Sequence, residues 1–124
     1  MNAQLMARSA YAGKAGPIGT DRGAEYDAFA RCTRALVSVQ TGKGGYPALV
    51  QALHDNRCLW TTLAADVSKE ANGLPAPLRA RIFYLAEFTL HHSRRILAGE
   101  ADATALIDVN TAVMRGLRGS EVTP

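Results

Sequence analysis

An all-α fold, a compact single-domain bundle of five to six helices whose first helix can detach, follows from three features of the sequence. Apolar residues recur at steps of three and four along most of the chain, and no stretch alternates as a half-buried strand does. Gly and Pro fall between these periodic stretches and punctuate them. Much of the 48% hydrophobic content is alanine, which favours close helix contacts over a bulky core. A chain of 124 residues suits one domain, and burying roughly two-thirds of its unfolded surface lets it fold alone. The expected organisation is an N-terminal helix over residues 1–12, a flexible loop over 13–19, a helical body over 20–118 and a tail over 119–124.

The first helix, Asn2 to Tyr11, is short and Ala-rich, with Leu5 and Met6 as its main apolar contacts. The Gly-rich stretch Gly13 to Gly19 acts as a hinge, so this helix can dock on the body, swap to a partner or stay mobile. The next helix runs from about Asp21 to Gln40, capped by Thr20 or Asp21, with Ala28, Cys32, Ala35, Leu36 and Val39 inward and Phe29 beside them. Gly42 to Gly45 reads as a turn. It lacks the spacing and the preceding strand of a phosphate-binding loop. Pro47 suits a first helical turn, and Pro47 to Ala71 forms one helix or two, bent near His54 to Asn56. Asn72-Gly73 stops it. Pro75 and Pro77 open a helix to about Leu97, with Leu78, Ile82, Leu85, Thr89, His92 and Ile96 along one stripe. Phe83, Ala86, Leu90 and Leu97 widen that stripe, which predicts burial on more than one side. Gly99 ends this helix, Asp102 caps the last one, and Leu106, Ile107, Asn110, Val113, Met114 and Leu117 form its inner stripe.

The net charge of +3 is mildly basic without a basic cluster, a poor match to a nucleic-acid binder. No apolar run approaches the roughly 20 residues of a membrane helix, and the N-terminus lacks the apolar core of a signal peptide. The expectation is a cytoplasmic protein without membrane insertion. Cys32 and Cys58 match no CxxC spacing; a disulfide between them stays open, with two buried, reduced thiols the favoured reading.

Candidate chemistry is sparse. Adjacent His91 and His92 point about 100 degrees apart on a helix and cannot act as a metal pair. His92 reads as a hydrogen-bonded core residue. Cys58 lies four residues after His54, but neither an oxyanion hole nor a third orienting group accompanies them. No enzyme, metal or cofactor is expected. Tyr84, Phe88, His91 and Arg95 share a helix face opposite the main stripe. Buried, this face is a second core surface, which is the favoured reading. Exposed, it accepts a partner protein rather than RNA, because only Arg81, Arg94 and Arg95 supply local charge. Trp60 is expected to anchor the core. Asn110, inside an apolar stripe, needs partners for its amide, and the turn at Asn72 to Pro75 could supply them.

Asn56, Leu59-Trp60, Asp66, Asn72, Leu74-Pro75 and Leu78-Arg79 resemble the NxxLWxxLxxD…NxLPxxLR core of the FlaF flagellar biosynthesis regulators of alphaproteobacteria. The later LAEFTLHH and LIDVNTAVMRGL segments, with Asn110, Gly116 and Leu117, are similar to the rest of that pattern, and Ala10-Tyr11 fits its opening. The resemblance covers about Tyr11 to Leu117 but not the glycine loops. It implies a small, helical, cytoplasmic, non-enzymatic protein that promotes flagellin production and filament assembly. It further implies binding of flagellin as a secretion chaperone, with a functional link to FlbT, which acts on flagellin mRNA.

An Ala-rich body could offer an apolar groove for a flagellin helix, covered by Leu5, Met6 and Tyr11 when empty. Two rival readings remain: a post-transcriptional regulator that contacts flagellin mRNA, alone or with an FlbT-like protein, and a homo-oligomeric structural module. The motif residues are expected mainly to hold the fold, leaving Tyr84, Phe88, His91 and Arg95 as candidate partner contacts beside the first helix.

Overall fold

The computed structural model describes residues 18–69 and 73–122 of the chain. These form four helices: α1 (Ile18–Gln40), α2 (Gly45–Val67), α3 (Ala76–Leu97) and α4 (Thr104–Val122). No strand occurs among the described residues. The all-helical class matches expectation, and among the described residues there are four helices where the sequence predicts five to six in the whole chain. Of the alternatives for Pro47 to Ala71, one helix is found over the described residues: α2 runs unbroken through His54, Asp55 and Asn56 to Val67. The expected first helix, with Leu5, Met6 and Tyr11, lies outside the described residues, as does Asn72. Helix α4 includes Gly119 and Ser120, which the sequence marks as the start of the tail.

Helix ends follow local chemistry. Gly44, ahead of α2, has φ +81°, and a Cβ there would sit 2.5 Å from the Ala48 side chain, so this turn requires glycine. Pro75 precedes α3 in an extended conformation, and its carbonyl accepts the Arg79 N–H at 3.0 Å. Gly99 (φ +79°) closes α3: its N–H donates to Ile96 O at 3.0 Å, and the Glu100 N–H donates to Arg95 O at 2.9 Å. This is the paired bonding of a glycine-stopped helix. Asp102 accepts the Thr104 N–H at 3.0 Å, as expected of a cap. That bond holds its carboxyl below the usual aspartate range. Gln40 ties the end of α1 to the start of α4, accepting the Ala103 N–H at 2.6 Å and donating to Thr104 Oγ1 at 3.1 Å.

The bundle is unevenly sealed. Helix α1 packs against α2 and α4, and α2 packs against α1 and α3, while the seam between α3 and α4 is sparse. Helices α2 and α4 therefore face each other across a diagonal. The apolar core falls into two clusters. Phe29, Trp60, Leu63, Val67 and Ala86 form one, and Leu36, Ala52, Leu53, Ile96, Ala103 and Leu106 form the other. None of the described helices is long and apolar enough to cross a membrane.

Candidate functional site

Each helix places polar side chains between residues of the two apolar clusters. Thr33 lies between Phe29 and Leu36 on α1, Asn56 between Leu53 and Trp60 on α2, and Asn110 between Leu106 and Val113 on α4. Thr89 and Ser93 lie between Ala86 and Ile96 on α3. All five are buried, so a polar midsection divides the core. Asn110 joins the diagonal helices: its Oδ1 accepts the Trp60 indole N–H at 2.9 Å, and its Nδ2 donates to Asn56 Oδ1 at 2.8 Å. Thr33 and Ser93 return their hydroxyls to their own helices, at Phe29 O and Thr89 O. Asn56 Nδ2 and Thr89 Oγ1 have no hydrogen-bond partner. Sliding one helix by a turn would set these amides against hydrocarbon, so the layer fixes helix register.

The expected link from Asn110 to the turn before α3 is not what forms. Asn110 meets Asn56 and Trp60 because it lies nearly two turns into α4, level with the middle of α2. Trp60 is fully buried as expected and meets Phe29 edge to face, with ring centroids 5.5 Å apart. The turn is held instead by Arg79, which donates from Nε to Leu74 O at 3.1 Å and from Nη1 to Val67 O at 3.4 Å. Asp66 approaches Lys69 at 3.6 Å. Leu59 and Leu74 pack against the Trp60 cluster, Pro75 and Gly116 are exposed, and Leu117 continues α4. Asn56, Leu59, Trp60, Leu74, Arg79 and Asn110 thus make contacts within the bundle.

The outer face of α3 differs from expectation. Leu78, placed in the buried stripe by periodicity, is 41% exposed, and Phe83 is 48% exposed. The cause is the sparse α3–α4 seam: α3 rests mainly on α2 and is covered on one side only. Tyr84 is 69% exposed, and His91 and Arg95 are exposed beside it. The four-residue face read from the sequence is therefore not a second core surface. Phe88 departs from it, being half-buried and stacked on His92 with centroids 5.1 Å apart. His92 is buried as expected.

Cys32 and Cys58 are both free, and Cys58 is exposed rather than buried. They line a groove of about 540 Å³ between α1 and α2 with Arg31 and Asp55. Burial, and then the charge of Asp55, push the Cys32 thiol above its ordinary range. Cys58 Sγ lies 3.6 Å from His54 Nε2, the contact expected of an unbroken helix. Among the described residues no three His, Cys, Asp or Glu side chains gather as a metal site.

The model of the flagellar protein FlaF family matches residues 7–117, which span all of the midsection and the outer face of α3. The chain belongs to the FlaF family. No match was found among curated proteins or solved structures. FlaF membership makes it a flagellar protein, and the FlaF match takes in Trp60, Asn56 and Asn110 together.

Proposed function

We propose that this FlaF protein binds flagellin in the cytoplasm and so promotes flagellin synthesis, export and filament assembly, without catalysing a reaction. The observation that carries this reading is the family match over residues 7–117. The structure is compatible with a binding role. A bundle pinned internally by Trp60, Asn110 and Asn56 is a rigid support, and large apolar side chains remain on its surface at Phe83 and Tyr84. Helical export substrates are commonly bound through apolar groups on one helix face.

Titration calorimetry of the purified chain with monomeric flagellin, run in parallel with flagellin leader RNA, tests the proposal. The expected result is a flagellin complex that forms without RNA and persists between low and physiological salt. Binding to RNA alone, with affinity falling steeply as salt rises, would replace it with the post-transcriptional reading.

A further inference from the structure

We propose that the outer face of α3 is a docking surface for an amphipathic helix that carries carboxylates. Phe83 and Tyr84 would seat its apolar residues, and His91, Arg94 and Arg95 its acidic ones. This deepens the flagellin-binding reading, and its principal test rests on that reading.

The first argument is an inversion of side-chain size. The buried residues of α3 are Ala86, Thr89, His92, Ser93 and Ile96, mostly small or polar. Two adjacent large aromatics, Phe83 and Tyr84, point outward instead. A helix optimised only for its own bundle would place them the other way round.

The second argument is charge. Helix α3 holds four of the chain's 14 cations, at Arg79, Arg81, Arg94 and Arg95, and one of its 11 carboxylates, at Glu87. The rest of the chain is therefore neutral, and the net +3 resides in this helix. Arg79 is occupied with backbone carbonyls, and Arg95 lies 3.8 Å from Glu100. Arg81 and Arg94 are exposed, with no carboxylate within ion-pair distance among the described residues. At helical spacing Phe83, Tyr84, Glu87, His91, Arg94 and Arg95 run along one side, aromatic at one end and cationic at the other. Phe83 and Arg94 are separated by roughly 16 Å of helix, so the occupant needs about three turns with apolar groups at one end and carboxylates at the other.

The same features disfavour other occupants. A phosphate backbone needs several cations along its length, and few unengaged arginines remain here to release counterions. A second copy stacked in parallel on the same face would set like charges against one another.

Calorimetry with monomeric flagellin, using the full chain, Phe83→Ala/Tyr84→Ala and Arg94→Gln/Arg95→Gln, decides the matter. The aromatic pair should raise Kd at least tenfold. The arginine pair should raise it a few-fold and flatten its salt dependence. Both variants should melt within about 3 °C of the parent, since the altered groups are on the surface. If the parent binds flagellin and both variants bind equally well, the docking surface is elsewhere and this inference fails while the flagellin reading stands. If the parent does not bind flagellin, that reading fails. Two synthetic helices of about 21 residues then decide the inference, one with a Leu stripe flanked by Glu and the other by Lys. Binding of the Glu peptide alone, lost in Phe83→Ala/Tyr84→Ala, supports it; binding of neither, or of both equally, overturns it. A parent dimer dissolved by the aromatic pair, or an RNA oligonucleotide displaced by the same changes, would also overturn it.

Discussion

Helices α2 and α3 lie side by side and differ by one residue in length, 23 against 22, yet they use their apolar residues in opposite ways. Helix α2 is flanked by α1 and α3 and buries Leu53, Trp60, Leu63 and Val67. Helix α3 has one well-packed neighbour, buries mainly small and polar groups, and leaves Phe83 and Tyr84 in solvent. Neighbour count, rather than composition, accounts for the contrast. A helix enclosed on two sides converts its large side chains into stability, and a helix at an open corner keeps them available for a partner.

Three substitutions test this contrast. Trp60→Ala removes the largest buried group of α2 and orphans Asn110 Oδ1, and should cost about 3–5 kcal/mol in urea unfolding. A loss below 1 kcal/mol would show that α2 is no anchor. Thr89→Val keeps the shape of a buried α3 side chain while removing a hydroxyl that has no partner. It should raise stability by about 1 kcal/mol, because an unpaired buried hydroxyl opposes folding. A clear loss would mean that the hydroxyl is satisfied in solution. Phe83→Ala should change stability by no more than about 0.5 kcal/mol despite removing a phenyl ring. A cost approaching that of Trp60→Ala would erase the difference between the two helices.

The helices themselves were legible because their signals are local. The three- and four-residue steps, the turn glycines and Asp102 act within a few residues of where they stand. Trp60 and Asn110 were both expected inside, since each lies in an apolar stripe. Their bond to each other was not legible: they are 50 residues apart, and which levels of antiparallel helices coincide is a tertiary fact. A further signal was available in the sequence. Each of the four helices interrupts its apolar stripe with Thr, Asn or Ser, and four such interruptions predict a shared layer. Exposure of Phe83 and Leu78 was misjudged for a related reason. Periodicity reports which residues share a helix face, but not whether a neighbouring helix covers it.

Trp60 is the only tryptophan in the chain, and it sits dry, edge-on to Phe29, with its indole N–H held by Asn110. The closed bundle therefore carries its own optical probe. Emission from this indole reports the alignment of α2 with α4, and it belongs to the interior alone, since no second indole on the surface overlays it. Events on the outer face of α3 and events that part the helices are thus spectroscopically separable in the unlabelled protein.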